Sequence, residues 1–308
     1  TKVIILLLLL LAGFIFAGSE GMRANSAYFW EAATLDRATG IVTPITGGMI
    51  VVAIAMAMVG SLFTCDAWTN VTFASAEVVD PRRTLPRSLF LGTIIAFTLF
   101  FLTNIVYLKV LPLRGMPDGA GVLERGMAFA TNDRLGTATI SSIFGDYAAV
   151  IMAVLIVIST FGCNNGLILS GARVYYAMAA DKLFFRQAGS LNDRAVPGSG
   201  LWIQFIWASM LCLSGSYSQL LDYVVFAVLL FYVLTILAIF VLRIRKPDAE
   251  RPYRAFGYPV IPALYILMAA TIMIILLIYK PAFTWPGLII VIIGIPVYYI
   301  WKRFNKTV

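Results

Sequence analysis

Within the apolar run from Met49 to Val79 stands Thr64-Cys65-Asp66-Ala67-Trp68-Thr69-Asn70, which sets a carboxylate, an indole, a carboxamide and two hydroxyls in a segment otherwise suited to a membrane helix. An Asp at the centre of such a helix costs about 2.5–3.5 kcal/mol on insertion scales. Asp66 is therefore expected to face a cavity or a partner rather than lipid. An unwound turn would also leave backbone N–H and C=O groups unpaired, which membrane depth tolerates only where protein, water or a ligand supplies partners. Such a turn suits a zwitterion, because half-helix N-termini attract its carboxylate and free carbonyls attract its ammonium. From the residues alone, a continuous helix whose polar groups face neighbouring helices stands as an equal alternative.

A second polar cluster lies in another apolar run: Ser159, Thr160, Gly162, Cys163, Asn164, Asn165, Gly166, Ser170 and Gly171. Gly162 and Gly166 form a GxxxG pair, and Ser159, Cys163, Gly166 and Ser170 extend a small-residue face, for which close helix packing is the leading expectation. Asn164 and Asn165 point about 100° apart, so one of them can leave that seam and reach a cavity. Asn104 and Tyr107 are read as interhelical hydrogen-bonding groups, Asp222 as a helix-capping acid, and Arg173 as a snorkelling cation.

Other chemistries are poorly supplied. Histidine is absent, and Cys65, Cys163 and Cys212 sit in apolar runs without paired spacing. This disfavours His-ligated metals, haem, imidazole-based catalysis and a disulfide scaffold. No cofactor, metal site or catalytic residue is assigned, and the chain is not expected to be an enzyme.

The elements that must position these groups follow from composition. Of 308 residues, 61% are hydrophobic and 12% charged, against roughly 45–50% apolar and about 25% charged in soluble domains. The apolar residues gather into runs near the 20 or so that cross a bilayer core of roughly 30 Å. About eight spans are expected: residues 3 to 17, 46 to 78, 88 to 111, 146 to 179, 200 to 215, 219 to 242, 259 to 279 and 285 to 301. The fold class is thus all-α and multi-pass. The second span, unbroken, would run to about 50 Å at roughly 1.5 Å per residue, which favours a break. The sixth is read as apolar through its middle, from Phe226 to Leu234, and is assigned no ligand.

The net charge of +8 reports topology rather than a nucleic-acid partner, because Lys and Arg sit mainly in short loops. One set of alternate loops holds fourteen of them and the other seven, which puts the richer set and both chain ends in the cytoplasm. Asp80-Pro81 and Leu85-Pro86 stop one helix and start the next, and Pro252, Pro259 and Pro262 punctuate the longest cytoplasmic loop. The external segment from Pro112 to Gly145 is either a plain connection or carries a short surface helix. The chain begins at Thr1 and turns apolar at Val3 without the charged region of a signal peptide, so N-terminal truncation is expected.

At these residues the chain resembles the amino acid, polyamine and organocation (APC) superfamily of transporters, and within it the L-type amino acid transporter group with its bacterial permease relatives. Gly60 to Asn70 is similar to that group's unwound sixth helix. Glu77-Val-Val-Asp-Pro-Arg-Arg-Thr-Leu-Pro86 is similar to its Glu-x-x-x-Pro-x-Arg-x-x-Pro signature. Gly162-Cys-Asn-Asn-Gly166 with Ala172-Arg-Val-Tyr-Tyr-Ala-Met178 resembles its eighth helix, and the stretch from Arg245 to Pro259 resembles the loop before its eleventh.

The resemblance implies a partial LeuT-type fold in which these spans are helices five to twelve of a twelve-helix protein and the first four are missing. It implies one transmembrane domain: residues 1–17 the last helix of the first repeat, 46–242 the second inverted repeat, and 259–301 two C-terminal helices. Carried over by position, Phe63 would be a gating aromatic. Backbone groups at Thr64, Cys65 and Asp66 would meet a substrate amino group, Ala67 would stand at the usual glycine of the turn, and Trp68, Asn70 and Asn164 would line the pocket. Cys65 stands where an aromatic is common, and Ala67 makes unusual backbone angles costlier than Gly would.

The function so implied is secondary active transport of amino acids by alternating access, through exchange or proton coupling, in a plasma or bacterial inner membrane. The expected partners are an amino acid substrate and the lipid bilayer, with no nucleic acid; an accessory subunit stays open. A polyamine or organic-cation permease of the same superfamily is the alternative. An intramembrane aspartyl protease is disfavoured, since Asp146 and Asp222 fall at helix ends, and no charge ring or filter repeat suggests a channel.

Overall fold

A computed structural model describes residues 2–64, 66, 68–73, 78–193, 196–214, 217–251 and 255–304. Among them the elements run α1 (Lys2–Ile15), α2 (Glu20–Ser26), β1 (Ala33–Leu35), β2 (Val42–Pro44), α3 (Gly48–Thr64), α4 (Asn70–Phe73), α5 (Pro81–Val110), α6 (Val122–Arg125), α7 (Leu135–Phe144), α8 (Asp146–Ala180), α9 (Gly198–Ser214), α10 (Tyr217–Arg245), α11 (Val260–Tyr279) and α12 (Pro281–Phe304). Five described helices are long and apolar enough to cross a membrane, at Pro81–Val110, Asp146–Ala180, Val224–Arg245, Val260–Tyr279 and Thr284–Arg303. The pair α1 and α2, bent by 79°, makes a sixth candidate. Two more of the eight expected spans are present as shorter apolar helices of 17 residues, α3 and α9, each about 25 Å long at 1.5 Å per residue.

The chain forms two compact units, residues 1–50 with 87–166, and residues 51–86 with 167–308. In the first, α1 lies against α5 so closely that a Cβ at Gly13 would sit 2.1 Å from a methyl of Val106. Leu10, Leu99, Val106, Val110 and Ala138 close a core there, and Ile5, Leu9 and Met152 a second one. Helix ends leave carbonyls without intrahelical donors, and here side chains supply them. Lys109 Nζ donates to the carbonyls of Gly13 and Phe14 at the end of α1, both at 3.1 Å. Asn25, 7% exposed, donates from Nδ2 to the carbonyls of Leu108 and Leu111 and accepts the N–H of Leu113 at 2.6 Å. It thereby closes the C-terminal end of α5. The segment from Pro112 to Gly145 is helical in pieces, α6, a 3-10 turn at Thr131–Asp133 and α7, so its surface-helix reading is the one realised.

The unit is helical, as expected, apart from one short antiparallel hairpin, β1–β2, with Thr34 opposite Thr43. Its turn is built by Asp36, whose carboxylate accepts the Ala38 N–H at 3.0 Å and the Thr39 hydroxyl at 2.7 Å, with Gly40 at φ +72°. Asn104 hydrogen-bonds within its own helix, to the Phe100 carbonyl at 2.8 Å, rather than across to a neighbour.

In the second unit the core is a three-helix seam. Ala55 and Val59 of α3, Val225, Leu229 and Val233 of α10, and Ala269, Ile272 and Leu276 of α11 are buried together. These positions recur at three or four residues, so each set lies on one helix face and interlocks with the next. α12 packs on both α10 and α11, and the buried Thr284 hydroxyl donates to the Leu276 carbonyl at 2.8 Å at the α11–α12 corner. Close helix packing is seen in α8 at Gly171, where a Cβ would lie 2.9 Å from the Gln204 amide of α9.

Candidate functional site at the broken helix

The helix beginning at Gly48 ends at Thr64, and helical structure resumes at Asn70. The local chemistry accounts for the interruption. Asp, Thr and Asn side chains compete with the backbone for its own hydrogen bonds. The Thr64 hydroxyl donates back to the Gly60 carbonyl at 2.9 Å. The Asp66 N–H turns to the Phe63 carbonyl at 3.1 Å, a tighter closure than the helix made. After the break, both the N–H and the hydroxyl of Thr72 donate to the Thr69 carbonyl, at 2.9 and 2.6 Å.

The side chains of the break meet α10. Tyr232 donates its hydroxyl to a carboxylate oxygen of Asp66 at 2.5 Å, a charge-assisted contact of the short kind. Trp68 lies tilted against the ring of the same tyrosine, centroids 5.3 Å apart, and stays 39% exposed. The expectation that Asp66 would face a partner is met. The apolar reading of Phe226 to Leu234 is not, because Tyr232 falls inside it. The signal was legible in principle: a phenol is an amphipathic side chain, counted among apolar residues in a window average yet able to donate one hydrogen bond.

Tyr232 owes its position to the seam. It directly precedes Val233, which with Val225 and Leu229 carries α10 onto α3 and α11, so the packing that joins the helices also aims the phenol at the break. Phe63 and Thr64 are exposed at the end of α3, and Asn70 is half-buried at the start of α4. Cys65 and Ala67 lie outside the described residues. Within the second unit Phe63, Thr64, Asp66, Trp68 and Asn70 lie along one interrupted segment, and Tyr232 joins Asp66 and Trp68 there; Asn164 is exposed on α8 in the first unit.

Helices of membrane-spanning length, one apolar helix interrupted at an acidic and aromatic turn, and a partner helix hydrogen-bonded to that turn define a multi-pass membrane protein with a polar break. The chain belongs to the amino acid permease family, which it matches over residues 1–298. It is 25% identical to Asc-type amino acid transporter 1 of Mus musculus over 319 aligned residues, covering 100% of this chain and 53% of that protein. It is 25% identical to the human Large neutral amino acids transporter small subunit 2 over 82% of the chain and 45% of the relative. Against the Serine/threonine exchanger SteT of Bacillus subtilis, identity is 27% over 80% of the chain and 54% of the relative. The chain thus spans about half the length of the relatives it matches.

Proposed function

We propose that the protein carries amino acids across a membrane by alternating access, and that its substrate binds at the break between α3 and α4. The observation that carries this reading is the convergence of Asp66 and Trp68 on Tyr232, which holds a carboxylate and an exposed indole together beside an interrupted helix. In this reading the turn's backbone groups, including those of Thr64, Cys65, Asp66 and Ala67, receive the substrate's charged ends. Trp68 and Phe63 cover its side chain, and Asn70 completes the wall. The names of the relatives, one a transporter of large neutral amino acids and one a serine/threonine exchanger, support a neutral amino acid as cargo and exchange as the mode.

The same reading treats the chain as one transmembrane domain. Residues 1–17 end a first repeat, 46–242 form the second, and 259–301 add two helices. Its basic loops and both ends face the cytoplasm of a plasma or bacterial inner membrane. Trp68→Ala in the complete protein tests the site: uptake of a radiolabelled neutral amino acid falls at unchanged membrane abundance. Unaltered transport kinetics would remove Trp68 from the pocket.

A further inference from the structure

A cavity of about 490 Å³ opens at the C-terminal end of α10, lined by Arg243, Pro247, Ala249, Glu250 and Arg251. Its acid is already paired. Glu250 receives both terminal nitrogens of Arg82, at 2.6 and 3.3 Å, and Asp248 does not line the space. Among the described lining residues the guanidinium groups of Arg243 and Arg251 give the cavity its charge, and both are held in place. Arg243 stacks over the Tyr258 ring, 3.6 Å from its centroid, an arrangement that occupies the guanidinium face and leaves its in-plane N–H edge to donate. Arg251 donates to the carbonyls of Lys246 and Pro247, both at 2.7 Å. It so cancels the negative end of α10 that would otherwise repel an anion and keeps further N–H groups to offer.

Two preorganised guanidinium forks around a polar cavity fit the oxygens of a phosphate. The cavity's position selects the source. Arg243 and Arg245 close the membrane-spanning segment Val224–Arg245, which sets the cavity at the level where lipid phosphates lie. We propose that this cavity binds the phosphate of an anionic phospholipid headgroup, and that the Arg82–Glu250 pair tunes its affinity by masking the lining carboxylate of Glu250. The proposal does not depend on which solute the protein carries.

The test uses the complete protein in a neutral detergent, titrated with dioctanoyl-phosphatidylglycerol and, as control, dioctanoyl-phosphatidylcholine, with bound lipid counted by native mass spectrometry. Phosphatidylglycerol binds selectively. Combined Arg243→Gln and Arg251→Gln weaken it about twenty-five-fold, at roughly a factor of five per cation near an anionic group. Glu250→Gln, which leaves the loop's arginines intact, tightens binding severalfold, and this gain decides the matter even where the double variant fails to fold. Equal affinity in wild type and double variant, or unchanged affinity in Glu250→Gln, overturns the proposal. So does protection against thermal unfolding by inorganic phosphate with no selective phosphatidylglycerol binding, which would assign the cavity to free phosphate.

Discussion

Asp66 and Tyr232 form the contact on which the reading of the break turns. A hydrogen bond to a charged group is worth about 1.5–3 kcal/mol, and Asp66 is only half-buried, so the lower part of that range applies. Tyr232→Phe keeps the ring against Trp68 and removes the donor; Asp66→Asn keeps the volume and removes the charge. Each is expected to lower initial uptake rates about tenfold, and because the two groups share one interaction the double variant should be no worse than the poorer single one. A double-mutant cycle of uptake in proteoliposomes measures this, and additive losses would mean that the pair does not act as a unit.

At the scale of elements, side chains from one helix finish the ends of another. Asn25 serves three backbone groups around the end of α5, and truncating it strands them in a buried place at about 1–3 kcal/mol per unsatisfied group. Asn25→Ala is therefore expected to lower the midpoint of thermal unfolding in detergent by several degrees, whereas Ser26→Ala on the exposed side of α2, which loses one local bond to Arg23, leaves it nearly unchanged. The hairpin turn has its own acid sensitivity. The Thr39 hydroxyl first, and the Ala38 N–H second, hold the Asp36 carboxyl below the usual carboxylate range. A depressed folded-state pKa contributes stability above the unfolded value that is lost as pH falls through the folded one. Exchange protection of the Ala38 amide should decline on acidification below the ordinary Asp range, and Asp36→Asn should remove that pH dependence.

For the molecule as a whole, alternating access and a continuous pore make different predictions. A carrier whose site lies at a broken helix exchanges internal for external solute. The complete protein in proteoliposomes preloaded with unlabelled neutral amino acid should therefore accumulate labelled substrate transiently, with saturable rates, and planar bilayers should record no unitary current. Unitary currents without counterflow would replace the carrier with a channel. The family match over residues 1–298 sets the frame for this experiment, and the relatives' greater length makes the complete protein the object to test.

Composition and run length were enough to define a helical membrane protein, because a bilayer core demands about 20 apolar residues per crossing wherever they occur in the chain. That Asp66 would turn to a partner or cavity was legible too, because a carboxylate in hydrocarbon is costly whatever surrounds it, whereas a break and a continuous helix stood even from the residues alone. The motifs from Gly60 to Pro86 and around Gly162 carried the family. What the linear order left undecided were pairings between distant residues. Tyr232 stands 166 positions from Asp66, and only the seam of Val225, Leu229 and Val233 against α3 and α11 turns it toward the break. Asn25 and Lys109 read as ordinary polar residues until packing put helix ends beside them. Gly171 of α8 is a further case: its sequence permits close packing, and only the fold sets the Gln204 side chain against it. Local cost is a property of the residue and its immediate neighbours, whereas a hydrogen bond or a close contact needs two elements, and only their packing brings those together.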